Sequence, residues 1–167
     1  EINSNGGEAI AVGCNVLELE SMENARQTVN EKLGTCDILL NGAGGNNPKG
    51  TTTKDTLEKI DLVKKDENVK TFFDLDPNGI SFVFNLNFLG TLIPTQVFAK
   101  DMAEKEKGTI IMITSMNAFR PLTRIPAYSA AKAAVKNFTE WMAVHFAPLG
   151  IRVNAIAPGF FSTKQNA

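Results

Sequence analysis

Four short apolar runs alternate along this chain with segments of helical periodicity. AIAVGC (9–14), CDILL (36–40), TIIMITS (109–115) and IRVNAIA (151–157) each read as a buried strand. Residues 20–33 place Met22, Ala25, Val29 and Leu33 on one helical stripe. Residues 80–104 and 126–147 predict two longer helices, the second stopped by Pro148-Leu149-Gly150. Strands alternating with helices predict an α/β fold, a doubly wound parallel sheet covered on both faces. At 167 residues the chain suits a single domain, 1–167, with a real core. Residues 45–79 break the pattern. Their interior, KDTLEKIDLVKKDENVK, is charged, which predicts a mobile surface insertion holding a short helix.

The chemistry concentrates in SMNAFRPLTRIPAYSAAKAAVKNF. Tyr128 and Lys132 are four residues apart, so they share a helix face. A phenol ionises near pH ~10 in water, and an ammonium beside it stabilises the phenolate and lowers that value. Ser115, thirteen residues before Tyr128, sits at the C-terminal end of a predicted strand. Ligands bind at that end of a parallel sheet. A serine hydroxyl there completes a hydrogen-bonding site for a carbonyl or alcohol. Tyr128 is the only tyrosine. Small residues (Ser129, Ala130, Ala131, Ala133 and Ala134) keep the helix face low, and Pro126 suits its first turn.

Four blocks, in order, make the chain resemble the short-chain dehydrogenase/reductase family. They are NGAG (41–44), NFLG (87–90), the Ser115–Tyr128–Lys132 spacing, and RVNAIAPGFFST (152–163). The resemblance implies a Rossmann-like sheet, here incomplete at both ends, because the family's opening glycine-rich turn has no counterpart. The chain reads as an internal portion of a longer protein. The resemblance also implies roles. Tyr128 would be the acid/base, Lys132 would tune it and bind the nicotinamide ribose, and Ser115 would orient the substrate oxygen. Asn87 would hold a water linking Lys132 to solvent. NAD or NADP would be the cofactor. Asn41, Ala43 and Gly44 would line its adenosine ribose side, and Asn15 and Val16 its adenine end. Asn15 stands where the family usually has Asp. Pro158, Gly159, Phe161 and Thr163 would surround the carboxamide. Asn41 and Asn87 also suit turns or caps.

Finer features resemble the D-mannonate oxidoreductase (D-fructuronate reductase) branch: GGNNPKG, the insertion leading to FFDLDPNG, and PGFFSTKQN. That branch acts on sugar acids. Asn46, Asn47, Asn117 and Gln165 suit sugar hydroxyls, and Arg120 or Arg124 suits a carboxylate or is simply a solvated loop charge. A gluconate 5-dehydrogenase-like or other polyol or keto-acid reductase is the alternative, as is a non-catalytic nucleotide-binding module.

A net charge of −1 with scattered basic residues gives no case for nucleic acid or membrane partners, and no apolar run reads as a membrane span. Cys14 and Cys36 are expected as buried reduced thiols, consistent with the cytoplasm. With the single His145 they make no metal site. His145 shares a helix face with Phe138 and Trp141, which suits packing or a subunit contact. With Phe82 and Phe98, these aromatics predict apolar faces on the two long helices. The resemblance implies that those faces pair across a two-fold axis in a homodimer or homotetramer.

Overall fold

The computed structural model describes residues 1–64 and 66–160, so the expectations for Phe161, Thr163 and Gln165 lie outside the described residues. Three parallel strands form one sheet in the order β1 (Ile38–Asn41), β2 (Gly108–Ile113), β3 (Ile151–Ile156). Ile38 lies opposite Thr109, and Ile113 opposite Ile156. Parallel neighbours need long crossovers, and the helices supply them. α1 (Leu19–Leu33) precedes β1. α2 (Lys59–Val63) lies in the 45–79 segment. α3 (Pro77–Phe84) and α4 (Gly90–Glu104) join β1 to β2, and α5 (Pro126–Phe146) joins β2 to β3.

Residue types explain the boundaries. Asp76 caps α3 by accepting the Asn78 N–H at 2.8 Å, and Pro77 occupies the first helical position, where no N–H is needed. A 3-10 turn at Ala147–Leu149 ends α5, and the chain reverses at Gly150 with φ 64°. A Cβ at Gly150 would lie 2.7 Å from the Glu106 carbonyl oxygen, so the turn needs glycine for both conformation and space. Between α3 and α4, Asn85–Leu89 forms a π turn, with the Gly90 N–H bonded to the Asn85 carbonyl. Pro94 then brings no donor to the helix.

The core lies on one face of the sheet. Ile110 and Met112 of β2 point into it and meet Met102 of α4, Val135 and Met142 of α5, and Val153 of β3. A second cluster joins Met22 of α1 to Val97 and Phe98 of α4. Arg26 of α1 is ion-paired with the buried Asp101 of α4. The segment Pro77–Glu104 is long and apolar enough to cross a membrane by composition. It is half buried inside the fold and carries the buried polar residues Asn87, Thr91, Thr95 and Asp101, so it serves here as a core helix.

Four expectations are corrected. Residues 9–14 form no strand, because no described edge offers them a ladder. Only one sheet face is covered among the described residues. Ile38, Leu40 and Ile156 on the other face are 65%, 58% and 52% exposed. Cys14 is exposed; Cys36 is half-buried, and burial pushes its thiol pKa up. Phe98 is in the core rather than on an outer face, whereas Phe82 and Trp141 are exposed.

Candidate active site

The C-terminal ends of the three strands meet at one cleft of about 540 Å³. After β1 the chain supplies Gly44, Gly45 and Asn46. After β2 it supplies Ser115, Met116 and Asn117. After β3 it supplies Pro158 and Gly159. Tyr128 and Lys132 of α5 complete the wall. Thr114 fixes where Ser115 emerges, since its N–H and its hydroxyl both donate to the Ile156 carbonyl, at 2.9 and 3.0 Å. The buried Ser115 Oγ accepts the Asn117 N–H at 3.2 Å and caps the turn Met116–Ala118.

Lys132 is buried, and its ammonium donates to the Ile113 carbonyl at 2.7 Å. Burial pushes its pKa below the usual lysine range. No carboxylate pairs with it among the described residues. Its Nζ lies 5.7 Å from the centre of the Tyr128 ring. The helical spacing thus brings an unneutralised cation beside the phenol at the cleft.

Asn87 sits in the π turn with no solvent exposure. Its Nδ2 donates to the carbonyls of Gly45 at 2.7 Å and Val83 at 2.8 Å, while its Oδ1 accepts the Gly45 N–H at 3.3 Å. Both amide hydrogens are therefore committed to backbone, and Oδ1 keeps one lone pair. Gly44 explains the approach of these groups. A Cβ there would be 2.7 Å from Asn87 Oδ1 and 3.1 Å from Lys132 Nζ.

Other sequence candidates are placed differently. Asn41 shares the inward face of β1 with Leu39, as strand alternation requires. Its Nδ2 donates to Thr95 Oγ1 at 2.9 Å, which ties β1 to α4 and turns the side chain away from the cleft. Asn15 shapes the entry to α1. Its Oδ1 accepts the Leu17 N–H at 3.0 Å, and its Nδ2 donates to Glu18 at 2.7 Å. Val16 packs beside Gly90 and the Met22–Phe98 cluster. Ala43 is half-buried just before the cleft's Gly44. Asn47 caps the turn Pro48–Gly50.

Arg120 and Arg124 are exposed and stand outside the cleft lining. Arg124 is committed elsewhere, its Nε donating to Asp55 at 2.7 Å. Asn46 lines the cleft and donates to Thr51 Oγ1 at 3.1 Å. Asn117 lines it too, is 6% exposed, and has an Oδ1 with no partner. Sequence reasoning missed Gly45, which holds Asn87, and the Ile113 carbonyl, which holds Lys132. It also missed Leu122 and Ile125, the apolar rim of the cleft. The second glycine of GAGG was a usable signal for the first; the others depend on contacts distant in sequence.

The family model for short-chain dehydrogenases matches residues 1–167. The chain belongs to the short-chain dehydrogenase family. Within it, an uncharacterized oxidoreductase of Haemophilus influenzae is 60% identical over 166 residues, covering 99% of this chain and 57% of that protein. The uncharacterized oxidoreductase UxuB of Bacillus subtilis is 48% identical, covering 99% of this chain and 58% of its own. A crystal structure of a proposed D-mannonate oxidoreductase from Haemophilus influenzae, with bound NAD, is 59% identical. It superposes with a TM-score of 0.92 over 99% of this chain and 57% of that one. The chain thus spans a little over half the length of these relatives, and the sheet described here is part of a Rossmann-like short-chain dehydrogenase fold.

Proposed function

We propose that the full-length protein is an NAD(P)-dependent oxidoreductase that interconverts a secondary alcohol and a ketone on a sugar acid of the D-mannonate/D-fructuronate type. The observation that carries this reading is the Tyr128–Lys132 pair on the cleft face of α5, with Lys132 anchored by the Ile113 carbonyl and paired with no carboxylate among the described residues. The NAD-bound relative supports the cofactor and the substrate class.

The residues present fit the nicotinamide end of such a cofactor. Gly44 keeps the floor bare beside Lys132, and two ammonium hydrogens remain for ribose hydroxyls once Ile113 is served. Pro158 and Gly159 line the cleft opposite. The bound nicotinamide supplies the hydride chemistry, and the protein supplies orientation and proton transfer.

Tyr128 passes a proton between its hydroxyl and the reacting oxygen. The Lys132 ammonium stabilises the phenolate left behind. Ser115 Oγ accepts from Asn117, so its own hydrogen is available to orient the substrate oxygen. Asn46 and Asn117 offer amides to sugar hydroxyls. The remaining Asn87 lone pair suits a water on the path from Lys132 to solvent.

The test is Tyr128→Phe in the full-length protein, with turnover followed on a panel of sugar acids that includes gluconate-type substrates. General acid–base catalysis contributes about 100- to 10,000-fold, so a loss of that size with NAD(P)H binding intact is expected. Retention of most activity on every substrate would overturn the assignment. A wild-type protein that binds NAD(P)H but turns over nothing would favour the non-catalytic module.

A further inference from the structure

The segment from Ser115 to Tyr128 contains a rim loop, residues 119–125, with neither helix nor strand of its own. Leu122 and Ile125 of this loop line the cleft. Three hydrogen bonds fasten its last turn to the 45–79 segment. Asp55 Oδ1 accepts from Arg124 Nε at 2.7 Å and from the Thr123 hydroxyl at 3.0 Å. The Thr52 N–H donates to the Arg124 carbonyl at 2.9 Å. All three act on the two residues just before Ile125. Ile125 is the N-cap of α5 and has no side-chain cap of its own, and Tyr128 follows within the first turn.

The 45–79 segment is itself braced. Thr53 and Lys70 pair across it, the Thr53 N–H to the Lys70 carbonyl at 3.0 Å and the Lys70 N–H to Thr53 Oγ1 at 2.9 Å. Lys54 bridges Glu58 and Asp61 at 2.9 and 2.8 Å, next to Asp55. At the root, the Asp76 N–H donates to the Lys49 carbonyl at 3.1 Å. There α3 approaches so closely that a Cβ on Gly79 would lie 2.8 Å from the Gly50 nitrogen. The segment therefore runs as a strut from α3 to the rim loop.

From this geometry we infer that Asp55 is a positioning residue, setting the rim of the cleft and the start of α5 for the substrate. The inference rests on the proposed oxidoreductase reading. Arg124, which the sequence suggests for a substrate carboxylate, spends its Nε on the strut. The Asp55–Arg124 pair is exposed, and exposed pairs contribute little to global stability. Removing it therefore leaves the fold intact while freeing the rim, which separates positioning from folding. The Asp55 carboxyl is held below its usual pKa by the Arg124 guanidinium and the Thr123 hydroxyl, so the clamp is charged throughout the neutral range.

The experiment compares full-length wild type, Asp55→Ala and the charge-swapped pair Asp55→Arg with Arg124→Asp. Small misplacements of a binding wall cost up to about 100-fold. Asp55→Ala is accordingly expected to raise KM for the sugar acid about tenfold. Its kcat, KM for NAD(P)H and melting temperature should stay close to wild type. The swapped pair should recover a substantial part of the KM loss. Hydrogen–deuterium exchange should quicken in residues 119–127 of Asp55→Ala and nowhere in the core strands. An unchanged KM with unchanged exchange would overturn the proposal, as would a KM rise matched by equal loss of melting temperature. If the wild type turns over no sugar acid, the functional reading fails, and the exchange measurement alone still decides whether Asp55 holds the rim.

Discussion

Asn87 and Gly45 hold each other in both directions: the asparagine amide donates to the glycine carbonyl at 2.7 Å, and the glycine N–H returns to the asparagine oxygen at 3.3 Å. This exchange ties the turn after β1 to the π turn between α3 and α4. It makes Asn87 a structural joint as well as a cleft neighbour. Asn87→Ala leaves the Gly45 and Val83 carbonyls without this partner. Each buried group left unsatisfied costs about 1–3 kcal/mol. Urea unfolding of the full-length variant should therefore show a loss of about 2 kcal/mol or more. A midpoint equal to wild type would show that the joint carries no stability.

Gly44→Ala tests the floor of the cleft. The added Cβ would meet Asn87 Oδ1 at 2.7 Å and Lys132 Nζ at 3.1 Å, so one of them must give way. The expected result is a fall in kcat/KM of about tenfold or more, because catalytic groups tolerate little displacement. NAD(P)H affinity should fall with it, measured by titration calorimetry. Wild-type kinetics would mean that the ammonium is not held where the chemistry needs it.

Lys132 gives a pH signature with a definite sign. Burial depresses its folded pKa below that of an unfolded lysine, about 10.4. The unfolded chain thus holds that proton more tightly, and the charged side chain subtracts stability at neutral pH. The penalty is relieved as pH rises through the folded value towards the unfolded one. Melting curves of wild type and Lys132→Met across the alkaline range should therefore change their spacing, wild type gaining on the variant. In kinetics, Lys132→Ala should raise the pH at which activity appears. Parallel profiles in both experiments would count against a buried, charged lysine.

The aromatic stripe on α5 bears on assembly. Trp141 stacks on Phe138 at 5.9 Å and on His145 at 4.5 Å, yet remains 55% exposed. We expect this face to pair with its copy in a homodimer or homotetramer. Sedimentation at micromolar concentration should show the oligomer, and Trp141→Glu should shift it towards monomer. A strictly monomeric wild type would remove this expectation.

What was legible in the sequence was local. Tyr128 and Lys132 could be placed because helical spacing puts them on one face, and Ser115 because an apolar run ends at it. The helices read at 20–33, 80–104 and 126–147 from the helical pattern and the Pro148–Gly150 stop lie at 19–33, 77–104 and 126–146. What could not be read depends on distant partners. Asn41 looks like a turn residue until Thr95, 54 positions away, is seen to bind it. Arg124 looks free until Asp55, 69 positions away, is found against it. Residues 9–14 have the composition of a strand, but a strand exists only where a neighbour completes its ladder.

The π turn at Asn85–Leu89 amounts to one surplus residue within a continuous helical rod. Each α-helical residue turns the chain by roughly 100°. Deleting a single residue from this turn would restore plain α geometry and swing everything on one side of it by about that angle. Either Asn87 would leave the Gly45 loop, or Val97, Phe98 and Met102 would leave the core. The insertion lets one rod satisfy two rotational phases, the first serving the cleft and the second serving the sheet.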